Sequence, residues 1–339
     1  RRQHRAYPGP QPGNGPAGVT ALCHGCAVLV QGEPQVGSGV PAHLRRVQRG
    51  WRAALQAAVL VAGLATLAAA PALAACQGLP RPLQALAPGV WWLPAASGDA
   101  SPANRGQVSS LMLVRQGQGA GARLWAVGSG PSPAFGRRLA CQVRRQLGAR
   151  VTDAISPWSR PELVLGVAGL RAASAPGAAR PAAAAALPPA PLPGPVRHWA
   201  HASVARAMAA HCPHCVDRLR LRLGPAAADL GDDPIRLPDQ LLHGESGRLG
   251  PFDWWLLPRA PGRDLTVWRL ARPGQPALWL APGLLQGAGP PDGREATLAL
   301  LQQSSARLAA LAEAEGAAAR FIGDQGPPLP AGAPAAHAR

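Results

Sequence analysis

Apolar residues along this chain change their period several times, and each change predicts an element. Val90-Trp91-Trp92-Leu93 is a short apolar run of strand length, and residues 111–114 and 124–127 are two more. Between them, 97–106 reads as a loop and 117–121, with glycine at alternate positions, as a turn. Gly128-Ser129-Gly130-Pro131 ends the third strand. Phe135, Leu139 and Val143 then recur four apart, the spacing of the buried stripe of an amphipathic helix, and a strand over 151–155 follows. Residues 204–210 predict a helix capped by Ser203, and Val216, Leu219 and Leu223 predict a second short helix closed by Gly224. Residues 254–257, 265–270 and 277–280 read as a strand meander. Leu298, Leu301, Leu308 and Leu311 mark a helix ending near Gly316, and Phe321-Ile322 is a last short strand. Strands, helix, strands, helix predict two sheets flanked by helices.

The first quarter of the chain follows no such period. Residues 1–46 are rich in Pro, Gly and Gln and predict a disordered leader, one that need not belong to the translated protein. Position 1 is Arg and the first methionine is Met112, so Val47 is a candidate start. Residues 47–74 have the layout of a secretory signal. Arg45, Arg46, Arg49 and Arg52 precede an apolar run over 57–70, too short to span a bilayer, and Ala72-Leu73-Ala74 is a small-x-small cleavage site. Leu73-Ala74-Ala75-Cys76 also resembles the bacterial lipobox, which would make Cys76 a lipid anchor. The expected mature chain is a single domain over 75–339, interrupted by an Ala/Pro-rich insertion at 172–195 and without a transmembrane span. Its expected location is periplasmic or secreted.

Composition adds less than its extremes suggest. The formal charge is +17 from 34 basic residues, every one of them arginine. No basic stripe is interleaved with stacking aromatics, so nucleic acid is not an expected partner. An oxidising compartment permits disulfides, and Cys76, Cys141, Cys212 and Cys215 allow three connectivities. Cys212-Pro213-His214-Cys215 is identical to the redox motif of strongly oxidising thioredoxin-fold oxidases, but the βαβ context is absent; either a local disulfide or a redox pair fits. His198, His201, His211 and His214 crowd the same stretch without zinc-ligand spacing. Gly244-Glu245-Ser246-Gly247-Arg248 fails the nucleophile-elbow pattern at its last position.

Six segments, in order, resemble the metallo-β-lactamase superfamily, and most of all its periplasmic quinoprotein-relay-type zinc hydrolases. They are Gly89–Pro94, Ala126–Ser132, Ser156–Gly166, Arg259–Leu265, Leu280–Leu284 and Gly323–Pro327. The resemblance implies an α+β fold, a four-layer αββα sandwich, with ligands collected from loops at one edge. It also implies a metal, and there the chain departs from the pattern. The family's histidines fall on Trp158, Arg160, Leu163, Arg259 and Gln325, its aspartates on Glu162, Gly283 and Gly128. A catalytic zinc needs about three N, S or carboxylate ligands plus an open position. Trp and Leu cannot coordinate, and Arg keeps its proton.

The expectation is therefore an exported, non-catalytic relative of the zinc hydrolases that takes no cofactor and binds an anionic small molecule or a periplasmic protein. Trp158, Arg160, Glu162, Leu163, Arg259, Gly283 and Gln325 would line the vacated metal cleft, left positive by its two arginines. Two alternatives stand beside it: a periplasmic hydrolase using a non-standard residue set, and a thiol–disulfide carrier acting through Cys212 and Cys215.

Overall fold

The computed structural model describes residues 79, 81–174, 194–287, 293 and 296–338. The leader, the signal segment, Cys76 and 175–193 of the Ala/Pro tract lie outside the described residues; 172–174 of that tract finish a helix.

Two sheets carry the chain. In the first, strands β1 (Gln84–Ala87), β2 (Val90–Leu93), β3 (Leu111–Gln116), β4 (Arg123–Val127), β5 (Asp153–Ile155), β6 (Arg197–His201) and β7 (Gln240–Leu242) lie side by side in sequence order. β1 to β4 form an antiparallel meander, and β4 to β7 run parallel. The second sheet holds β8 (Ser246–Leu249), β9 (Phe252–Ala260), β10 (Arg263–Arg272), β11 (Gln275–Leu280), β12 (Arg320–Ile322) and β13 (Leu329–Pro330). It is antiparallel except where β12 joins β11.

Alternation sorts the two faces. Val90, Trp92, Met112, Val114, Trp125, Val127 and Ile155 of the first sheet pack with Phe252, Trp254, Trp268, Leu278, Leu280 and Ile322 of the second. Phe252 stands edge-on to Trp125 (centroids 6.2 Å apart) and to Trp268 (5.8 Å), locking the inner faces together. The intervening residues, such as Leu111, Leu113, Leu124, Leu257, Trp279 and Phe321, face outward into helices. Strands buried on both faces explain why runs such as Val-Trp-Trp-Leu are apolar throughout.

Helices α1 (Pro133–Leu147), α2 (Pro161–Val164), α3 (Val167–Ser174) and α4 (Ala202–Leu223) follow strands of the first sheet. Helices α5 (Leu298–Glu313) and α6 (Ala333–His337) belong to the second half, with Leu301, Leu308 and Ala312 of α5 in the core beside Trp279 and Phe321. The result is the αββα sandwich. Ser132 caps α1 by accepting the Phe135 N–H at 3.0 Å, and Gly148 ends it at φ +57°. A Cβ on Gly136 would lie 1.9 Å from the Gly166 carbonyl oxygen, so α1 and the start of α3 touch backbone to backbone.

Three expectations are corrected here. The helices predicted over 204–210 and 216–223 are one helix, α4, with Pro213 in its interior and His201, not Ser203, at its cap. An interior proline costs about 3 kcal/mol, but Met208, Cys212, Val216, Leu219 and Leu223 form one buried stripe through it, and that burial prevails. Consequently Cys212 and Cys215 make no local disulfide. Cys212 points into the core and donates to the Ser159 carbonyl (3.6 Å), whereas Cys215 meets the Arg218 guanidinium (3.7 Å). Mid-helix placement also removes the N-terminal dipole that would favour a thiolate. Cys141, by contrast, is disulfide-bonded. Finally, β1, β6, β7, β8 and β13 escaped the hydrophobic pattern, so Phe321-Ile322 is not the last strand. Ser246 of the failed serine motif lies on exposed β8.

One buried titratable group couples this fold to pH. His198 on β6 is fully buried, and its Nε2 lies 2.7 Å from the Ser156 hydroxyl. Burial, helped by the Arg171 charge, lowers its pKa to about 4 from 6.5, with Asp239 opposing. The unfolded chain therefore binds this proton more readily, so the neutral ring's stabilisation is complete above pH 6.5 and is lost as pH falls toward 4. Urea unfolding at pH 7 and pH 4 should show a loss of roughly 3 kcal/mol that His198→Gln removes. An equal loss in both proteins would assign the effect elsewhere.

Candidate functional site

The carboxyl ends of β5, β9, β11 and β12 meet at one edge of the sandwich, and the loops leaving them carry the residues singled out in the sequence. Trp158 follows β5 and forms an isolated bridge with Leu265 of β10. Its loop is held by Thr266, whose N–H and hydroxyl both donate to the Pro157 carbonyl, at 2.7 and 3.0 Å. The indole is therefore fixed from both sheets.

Arg259, one residue before the end of β9, lies inside this corner with no solvent exposure. Its guanidinium carbon sits 4.3 Å from the Trp158 ring centroid, and Nη1 donates to the Gly283 carbonyl. Gly283 follows β11 at φ +82°, and a Cβ there would stand 2.9 Å from the Trp158 ring; only glycine lets this turn close over the indole. Arg160 approaches the same ring at 5.2 Å and pairs with Glu162 of α2 at 3.3 Å. Trp158, Arg160, Glu162, Arg259 and Gly283 thus form one cluster.

Leu163 and Gln325 stand to its sides. Leu163 is buried toward Gly128, and its carbonyl accepts from the Ser129 N–H (2.7 Å) and hydroxyl (3.0 Å). Gln325 spends its carboxamide on the loop between β2 and β3. Oε1 accepts from Gly98 N–H, while Nε2 donates to the Gly98 and Val108 carbonyls at 2.8 and 3.3 Å.

The residue missed from sequence is Asp324, beside Gln325. Its Oδ2 accepts the Gly283 N–H at 2.7 Å and its Oδ1 the Ser109 hydroxyl at 3.3 Å, while its carbonyl takes the Ser110 N–H at 2.8 Å and hydroxyl at 3.1 Å. Burial pushes this carboxyl above its ordinary value, opposed by Arg160, the Gly283 N–H, Arg259 and Ser109. An acid inside a Gly-Asp-Gln-Gly turn, one place from a presumed ligand position, was the available signal. Asp324 thus adds a second carboxyl group to the corner, beside Glu162.

Comparison with solved structures identifies the class. The metallo-β-lactamase FIM-1 from Pseudomonas aeruginosa in its mono-zinc form matches at 17% identity over 78% of this chain and 97% of that one, with a TM-score of 0.51. The metallo-β-lactamase DIM-1 exposed to ceftazidime matches at 12% identity over 76% and 94%, with a TM-score of 0.52. A β-lactamase domain protein from Burkholderia ambifaria matches at 15% identity over 75% and 74%, with a TM-score of 0.51. No family model and no curated protein matches the sequence. The chain has the metallo-β-lactamase fold.

That fold implies a metal, and the corner does not fit one. Among the described residues no group of three or more His, Cys, Asp or Glu side chains could hold an ion. A guanidinium, which cannot be deprotonated and would repel a divalent cation, lies on the indole instead. Asp324 already accepts from Gly283 and Ser109, and Glu162 is paired with Arg160. No helix among the described residues is long and apolar enough to cross a membrane.

Trp158 is the platform of the cluster, so Trp158→Ala should cost about 3–5 kcal/mol in urea unfolding, through the cavity and the lost ring face. A loss below about 1 kcal/mol would show that the corner does not depend on the indole.

Proposed function

We propose that this protein is a non-catalytic, metal-independent relative of the metallo-β-lactamases that binds a ligand or partner at its loop edge after export. One observation carries the reading. The positions that resemble metal ligands hold an indole, two guanidinium groups and a glycine, already engaged with one another and with Asp324. Without the metal, no group in this corner lowers the pKa of a bound water from about 15.7 toward 7. The quinoprotein-relay resemblance and the signal layout of 47–74 support the periplasm as its location.

The binding chemistry follows from what remains accessible. Arg160 keeps partial exposure and is braced by Trp158 and Glu162. A carboxylate or phosphate, free or on a periplasmic protein, is the complementary group. Because Glu162 already meets Arg160, an anion must compete with an internal partner, so modest affinity is expected.

Elemental analysis of protein purified without chelator, with nitrocefin hydrolysis measured on the same sample, tests this. The expected result is zinc far below one equivalent and turnover at background, with phosphate raising the melting temperature of the native protein and not of Arg160→Ala. Stoichiometric zinc that is lost in Glu162→Gln would overturn the reading in favour of a hydrolase with a non-standard ligand set.

A further inference from the structure

The disagreement between this corner and a metal centre has a positive side. A metal at such an edge neutralises carboxylates and ties together loops that the sheets alone leave separate. Here those loops remain tied. Arg259 comes from the end of β9 and meets the Gly283 turn after β11 and the Trp158 loop after β5. Gly283 meets Asp324 after β12, and Asp324 in turn holds Ser109 and Ser110, which lead into β3. Five segments are joined, two from the first sheet and three from the second.

The chemistry suits that role. The guanidinium is planar, so one face lies on the indole while an edge N–H reaches the Gly283 carbonyl. Gly283 is gripped at both ends of its backbone: its carbonyl by Arg259 and its N–H by Asp324. A guanidinium and a carboxyl group thus act on one glycine residue from opposite sides. Glycine is required there, because a side chain would strike Trp158.

We infer that Arg259 takes over the structural office of the metal ion, acting with Trp158, Gly283 and Asp324 as an organic cross-link that closes the loop edge of both sheets. This rests on the metal-independent reading and extends it, since it assigns a task to residues that reading merely finds non-catalytic. The side chains at the former ligand positions are then selected jointly. Loss of one member leaves the rest worse placed than loss of two.

The test is a double-mutant cycle on the full exported chain, using Arg259→Met, Asp324→Asn and the double variant, read by thermal unfolding and by amide hydrogen exchange. Arg259→Met should lower the melting temperature by roughly 10 °C, a scale that follows from removing one member of a buried charged network in a domain of this size. Exchange should quicken at 107–110 and 157–163 in the first sheet's loops as well as at 283–285. The double variant should recover at least half of that loss. Additive losses, or exchange quickened beside β9 alone, would overturn the inference. Should Arg259→Met fail to fold, Arg259→Lys retains the charge without the planar fork. It should fold with faster exchange in the same three segments, and unchanged exchange there would equally overturn it. Zinc content of these preparations reports separately on the metal-independent reading.

Discussion

A charged guanidinium buried on an indole, with a carboxyl group one residue away, is the constraint around which this corner is built. Taking such an ion out of water costs several kcal/mol after relaxation, so it persists only where partners are fixed in advance. The partners here are fixed by both sheets. Thr266 holds the Trp158 loop, Gly283 closes over the ring, and Asp324 is anchored through Ser109 and Ser110. None of these groups is preorganised by its own segment.

The rest of the molecule supplies that preorganisation. The inner faces interlock through Trp125, Phe252 and Trp268, and their outer faces are sealed by helices on both sides. Charge is handled with equal economy. Asp153 takes Arg123 and Arg197, Asp229 takes Arg105 and Arg138, and Asp253 takes Arg248 and Arg269. Asp153 shows the consequence: burial alone would raise its pKa, but hydrogen bonds from Arg123, Trp199 and Thr152 hold it below the ordinary value. Three aspartates thus gather six of the chain's 34 arginines.

Much of the fold was legible in the sequence because strands buried on both faces announce themselves. Val90–Leu93 and Leu124–Val127 could hardly be anything else. β6 was not legible, since Arg-His-Trp-Ala-His hides a central strand behind two histidines whose burial depends on Ser156 and Ser203. The unbroken α4 was missed for the opposite reason: Pro213 is a local stop signal that a long buried stripe overrides. In the site, Trp158, Arg160, Glu162, Arg259 and Gly283 could be placed together only through the family resemblance, because no local period links residues so distant. Asp324 carries no pattern of its own beside Gln325, which stands at the ligand position. Its role emerges from a backbone N–H across the corner, which no sequence pattern encodes.

A loop edge tied by its own side chains should stay closed without a metal. Thermal unfolding of the native protein before and after exhaustive treatment with a strong chelator, then with zinc restored, addresses it directly. Three superimposable transitions are expected, because an edge held by Trp158, Arg259, Gly283 and Asp324 gains no stability from a bound ion. A melting temperature that falls by several degrees on chelation and returns with zinc would contradict it.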